Sequence, residues 1–177
     1  MEACQNCGQP HRTHKRRHAK YCSTRCRVAA HRKQGLQPLK QHARWVNHDQ
    51  RKRPINPNTG HMAKSNDYTT WGTYTQAQQT GKPLGYMLGD GIGCIDLDHC
   101  IQADGTLTKG AQLLVAEYPE NYIEVSPSGT GLHIWGTAAE RKGFRTVWKG
   151  QAVEFYSRSR YITVTGKVWQ AGRLAPL

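Results

Sequence analysis

No stretch of this chain approaches the roughly 18 consecutive apolar residues that a membrane-spanning helix needs. The opening residues, Met1-Glu2-Ala3-Cys4, lack the apolar core of a secretory signal. Those two absences lead to the expectation of an intracellular, cytoplasmic protein without a membrane partner. There is no internal repeat and no low-complexity tract, so the chain is not a repeat array. Acidic residues are scarce where basic ones are dense. Residues 1–53 carry 14 Lys and Arg against 2 Asp and Glu, whereas residues 54–177 carry 11 against 10. The net charge of +13 is therefore an N-terminal property, and it points to a polyanionic partner, most simply nucleic acid. A length of 177 residues with an apolar fraction of 37% suits one compact domain and a small appendage.

Four of the 6 cysteines fall before residue 27, as Cys4-x2-Cys7 and Cys22-x3-Cys26. In a reducing compartment such pairs read as metal ligands rather than disulfides. Two short knuckles deliver the four thiolates of a tetrahedral Zn²⁺ site, and zinc supplies the folding energy that so small a core lacks. His11, His14, His18 and His31 are alternative ligands or face phosphate or solvent. Ser23 caps a helix running to about Lys33, and Gly35 stops it. Residues 1–35 are thus expected to form a zinc-binding basic module. Arg16, Arg17, Lys20, Arg25 and Arg27 are its candidate contacts to a DNA backbone. Tyr21 either stacks on an unpaired base or packs. Residues 36–43 read as a linker, and residues 44–177 as the main domain.

Within that domain a short strand begins near Trp45, and residues 51–60 read as an irregular loop. Asn66-Asp67 is expected to cap one helix through Trp71 and Tyr74 to about Gln79. Strands at 83–90 and 92–98 read as a hairpin turning at Asp90-Gly91. A helix near 107–118 follows, then strands near 121–126, 131–136, 151–157 and 160–165. Strand pairs with interspersed helices predict an α+β domain with a mostly antiparallel sheet. Cys94, Cys100 and the tryptophans 45, 71, 135 and 148 read as packing residues.

The chemistry concentrates in Gly-Ile-Gly-Cys-Ile-Asp-Leu-Asp-His-Cys, residues 91–100. Asp96 and Asp98 are two apart, and a strand's period of two places both on one face. Like charges on a buried strand repel and lose hydration, and a hard divalent cation, Mg²⁺ or Mn²⁺, removes both costs. Glu154, an acid in the apolar strand Val-Glu-Phe-Tyr, completes a candidate three-carboxylate metal site. The loop of Glu-Val-Ser-Pro-Ser-Gly-Thr-Gly-Leu-His-Ile, residues 124–134, offers Ser126, Ser128 and backbone N–H groups to phosphate. His133 follows on the next strand. Arg160, Thr163 and Thr165 alternate with apolar residues and are candidates for the same cleft.

In this order the motifs resemble the primase-polymerase domain of the archaeo-eukaryotic primase superfamily. The nearest type is the bifunctional domain of phages, plasmids and prophages. The likeness runs from about Trp45 to Gly166 and includes Lys52-Arg53-Pro54-Ile55-Asn56-Pro57, where Lys52 is a candidate DNA contact. It implies an RRM-like catalytic sheet. Asp96, Asp98 and Glu154 are then metal-holding catalytic residues. His133 contacts the incoming nucleotide's phosphates beside Ser126 and Ser128, and Arg160 binds the triphosphate. It further implies primer synthesis on single-stranded DNA from nucleoside triphosphates. Many relatives carry a C-terminal helicase. This chain stops soon after Thr165-Gly166, so the expectation is either a separate replicative helicase as partner or a shortened or degenerate copy. Two other readings remain: an inactive zinc-finger nucleic-acid-binding protein, and a metal-dependent nuclease.

Overall fold

A computed structural model describes residues 2–4, 7–11, 20–32 and 34–177 of the chain. In chain order the elements are β1 (Glu2–Ala3), β2 (Pro10–His11), α1 (Thr24–Arg32), β3 (Trp45–His48), β4 (Pro54–Ile55), α2 (Tyr74–Gln79), β5 (Leu84–Met87) and β6 (Ile92–Leu97). There follow α3 (Lys109–Glu117), β7 (Tyr122–Val125), β8 (Leu132–Thr137), β9 (Phe144–Trp148), β10 (Gln151–Tyr156), β11 (Tyr161–Val164) and β12 (Val168–Gln170). The fold is α+β, and the strand ladders are antiparallel. Among the described residues, no helix is long and apolar enough to cross a membrane.

Two sheets, rather than the single one expected, build the main body. One has six strands in the order β12-β7-β8-β6-β10-β9, and the other four, β11-β5-β3-β4. Alternation along β6 explains the layering. Ile95 and Leu97 face α3 with Ile123, Leu132, Ile134, Val153 and Phe155. Cys94 faces the opposite way, into a second core with Trp135, Tyr122 and, from the smaller sheet, Trp45, Tyr86 and Ile162. Trp45 and Trp135 are almost fully buried, and Cys94 and Cys100 are wholly buried, as packing residues should be.

Several local expectations are corrected. Strands β5 and β6 do not form a hairpin ladder. Asp90 and Gly91 do take the left-handed turn conformation (φ 60° and 78°), yet the strands part after one bridge, Gly89 to Ile92. The reason is occupancy: β5 is paired on both edges by β3 and β11, and β6 by β8 and β10. The single helix expected over 66–79 is split. Asp67 caps a 3₁₀ turn at Tyr68–Thr70, and Thr73 with Gln76 forms a capping box at α2. Between them Gly72 exchanges both backbone hydrogen bonds with Trp45, 2.8 and 2.9 Å, which withdraws those groups from any helix. The 36–43 stretch forms a 3₁₀ turn at Gln37–Gln41 and buries Leu39, whose carbonyl accepts the Trp45 indole N–H at 2.9 Å. Strands β4, β9 and β12 were not expected. The two-residue link Lys149-Gly150 between β9 and β10 has φ of 48° and 79°, the geometry of a tight hairpin.

Candidate active site

The chemical residues form one cross-strand row. Register pairs Glu124 with His133, His133 with Asp96, Asp96 with Glu154, and Glu154 with Arg145. Directly opposed residues share a face, so five polar side chains from β7, β8, β6, β10 and β9 line up on one surface. It is the face that buries Cys94 and Trp135 two residues away, and the row therefore lies at the margin of the inter-sheet core. There the sheets leave a cavity of about 630 Å³. The larger sheet contributes Asp96, Asp98, His133, Glu154 and Arg145, and the smaller sheet and its loops contribute Lys52, Pro54, Arg160, Tyr161 and Thr163.

Burial pushes the Asp96 carboxyl above the usual aspartate range, and the charges of Asp98 and Glu154 push the same way. His133 and Arg160 oppose them. A carboxylate so placed is a good ligand for a hard cation, because a cation reverses each unfavourable effect. Glu154 is already engaged: Tyr156 Oη donates to Oε2 at 2.6 Å, and Arg145 Nε lies 2.6 Å from Oε1. His133 is almost buried, with Nε2 3.8 Å from Asp96 Oδ1 and Nδ1 3.5 Å from Glu124 Oε1. Glu124 is fully buried and also accepts from Gly166 N–H at 2.9 Å, Trp135 Nε1 at 3.3 Å and Tyr122 Oη at 3.4 Å.

The loop before β8 holds its hydroxyls in a chain. Ser126 Oγ lies 2.9 Å from Ser128 Oγ, which lies 3.1 Å from Thr130 Oγ1. Gly129 closes the turn, donating to the Ser126 carbonyl at 3.0 Å with φ of 79°. Ser126 and Pro127 line the cavity, and Ser128 reaches it through Ser126. Arg160 lies over the Tyr156 ring, 4.6 Å from its centre. Thr165 does not line the cavity. Its hydroxyl donates to the Val125 carbonyl at 2.7 Å, which fastens the segment whose Gly166 N–H reaches Glu124. Lys52 lines the cavity with φ of 59°, and its carbonyl accepts the Tyr161 hydroxyl.

Sequence reading missed Glu124 and Arg145. Glu124 carries the signal that exposed Glu154, an acid inside an apolar strand (Tyr-Ile-Glu-Val). Arg145 was hidden because β9 is an edge strand with both faces largely exposed, so burial imposes no pattern on it.

At the N-terminus, Cys4, Cys7, Cys22 and Cys26 bring their Sγ atoms within 4.8 Å of one another. Cys7 to Cys22 is 3.7 Å and Cys22 to Cys26 is 3.4 Å. Four sulfurs at the usual Zn–S distance stand about 3.8 Å apart, so the cluster fits a tetrahedral zinc ion. Without metal the crowding is unfavourable to ionisation: the hydrogen bond with the Cys26 thiol pushes Cys22 up to about 12. Ser23 Oγ accepts from Cys26 N–H at 3.1 Å and starts α1 as expected. Lys20, Arg25 and Arg27 are exposed near this cluster, whereas Arg16 and Arg17 lie outside the described residues. Among the described residues the cysteines are the cluster whose donor atoms converge tightly on one point. Asp96, Asp98 and Glu154 share a cavity without that convergence.

No family model matches the chain. Over 148 residues it is 34% identical to the protein named DNA Primase-polymerase of Nitratiruptor phage NrS-1, a match covering 76% of this chain and 20% of that protein. The chain thus spans about one fifth of the length of the relative it matches. The chain is therefore similar to one part of a phage protein that bears the name DNA Primase-polymerase.

Proposed function

We propose that the chain synthesises oligonucleotide primers on single-stranded DNA, joining nucleoside triphosphates by two-metal nucleotidyl transfer in phage, plasmid or prophage replication. The observation that carries the reading is the in-register row of Asp96, Glu154 and His133 opening on a cavity rimmed by Lys52, Arg145 and Arg160. Its volume falls in the range of small-molecule sites, and its charges suit a polyphosphate held against carboxylates.

Asp96, Asp98 and Glu154 would hold Mg²⁺ or Mn²⁺, and their hard oxygen donors suit either ion. When bound, such ions lower the pKa of the attacking 3′-hydroxyl and neutralise the departing pyrophosphate. The protein's own residues position the reactants. His133 presents Nε2 to the phosphates. Arg160, lying on the Tyr156 ring, is held where it can pair with the triphosphate. Ser126 and Thr163 offer hydroxyls from the cavity wall, and Ser128 supports Ser126. Thr165 acts at a distance, through the backbone it fastens. Fixed donors of this kind are worth most in a partly dehydrated cleft.

The antiparallel sheet crossed by this row supports an RRM-like catalytic sheet of the primase type. The cysteine module, with structural Zn²⁺ and Lys20, Arg25 and Arg27, would grip the template while no primer is yet available. Priming needs exposed single strands, so helicase activity is what this reading requires alongside the site.

The test is incubation with single-stranded DNA, labelled nucleotides and Mg²⁺ or Mn²⁺, beside an Asp96→Ala/Asp98→Ala chain. Short products made only by the unmodified chain are expected. Retained DNA binding with no product would leave a binding module instead. Strand degradation without triphosphates would leave a nuclease.

A further inference from the structure

We infer that Glu124 is a positioning residue for His133, fixing which ring nitrogen faces the cavity. The inference builds on the primase reading of His133 but stands on its own geometry. Glu124 is a fully buried carboxylate, and a buried charge persists only where donors satisfy it. Three donors are fixed by the fold: Gly166 N–H, Trp135 Nε1 and Tyr122 Oη. The fourth neighbour is His133 Nδ1, 3.5 Å from Oε1. A carboxylate only accepts, so the shared proton belongs to Nδ1 and Nε2 is left facing Asp96 and the cavity.

The surroundings leave the ring little choice. His133 is 4% exposed, and its ring meets Trp135 edge-on, centres 6.5 Å apart. Trp135 is itself tied to Glu124 through its indole N–H. The Gly166 bond ties the same carboxylate to the segment after β11, the strand that carries Thr163 into the cavity. One buried acid thus sets the histidine and links it to the opposite wall. A histidine whose second nitrogen is held by a carboxylate is the usual arrangement where the first nitrogen must be aimed.

The test is a long-range ¹H–¹⁵N spectrum of the unmodified full chain, assigned through His133→Gln. The expected pattern has the proton on Nδ1. A neutral ring protonated only at Nε2 overturns the inference with no further variant. In Glu124→Gln the side-chain amide can donate to Nδ1, so the ring is expected to switch to the Nε2-protonated form. A Glu124→Gln chain that melts at a lower temperature but keeps the Nδ1-protonated ring would make Glu124 purely structural and reject the proposal. If primer synthesis is absent altogether while the tautomer behaves as stated, the primase reading fails and the positioning role stands.

Discussion

Arg145 Nε lies 2.6 Å from Glu154 Oε1, so a guanidinium from an edge strand occupies one oxygen of a carboxylate proposed to hold a catalytic metal. The Arg145 side chain is 70% exposed and that of Glu154 is 15% exposed. The pair is therefore worth no more than a surface ion pair, up to about 1 kcal/mol. It is weak enough for a divalent cation to displace and strong enough to compete with one. Arg145→Ala is expected to tighten Mn²⁺ binding by up to about fivefold. Electron paramagnetic resonance titration of free Mn²⁺ reads this directly. Unchanged or weaker binding would show that Glu154 does not ligate.

Asp96 yields a prediction of opposite sign for stability and activity. Its carboxyl is raised by burial and by the neighbouring Asp98 and Glu154. A raised folded-state pKa means the folded chain holds this proton more tightly than the unfolded chain. The contribution is then fully present below the ordinary aspartate pKa and is lost as pH rises through the higher folded value. In zinc-loaded chain without Mg²⁺ or Mn²⁺, Asp96→Asn is expected to raise the melting temperature at neutral pH by about 2–4 °C. The gain should vanish in mild acid. The same variant should lose synthesis. Calorimetry at two pH values measures the first effect, and product gels the second.

The elements that sequence made legible are those whose signal is local. The Asp96-x-Asp98 spacing, the Ser-Gly turn before His133, the cap at Ser23 and the acid inside Val-Glu-Phe-Tyr all depend on neighbours within a few residues. The row from Glu124 to Arg145 does not. It exists because the strand order is β7-β8-β6-β10-β9, and no local pattern encodes which strands adjoin. The same limit explains the hairpin expected at Asp90-Gly91. The turn has the residues and angles of a hairpin, but both edges of each flanking strand were claimed from far along the chain. Thr165 was grouped with Thr163 by period, although β11 ends at Val164 and the chain there turns toward β7.

The cysteine cluster predicts one zinc ion per chain. Cys22 Sγ lies 3.7 Å from Cys7 Sγ and 3.4 Å from Cys26 Sγ, so it is one of the four converging donors. Cys22→Ser is expected to lose the metal and weaken single-stranded DNA binding, with a shallower salt dependence as phosphate contacts from the module are lost. The sheets, whose cores contain none of these cysteines, should keep their hydrogen-exchange protection. Metal analysis and exchange mass spectrometry check both halves. A zinc-free unmodified chain would remove the site.

Gly131 shows how closely the phosphate-loop candidate is fitted to the catalytic strand. A Cβ there would lie 2.7 Å from the Leu97 carbonyl oxygen and 2.8 Å from Ser126 Oγ. The first is backbone of β6, between Asp96 and Asp98, and it cannot yield without moving the carboxylates. The second is the cavity-lining serine, and it can yield only by breaking its contact with Ser128. Gly131→Ala is therefore expected to cost about 1–3 kcal/mol of stability, as overpacking does. It should also raise the KM for nucleotide, because the loop and the aspartates shift together. Ala substituted instead at Gly105, a turn position where a Cβ meets nothing within 4 Å and φ is +81°, controls for lost stability away from the cavity. That variant should lose some stability and keep its KM. Equal KM values in the two variants would separate the Ser-Gly loop from nucleotide binding.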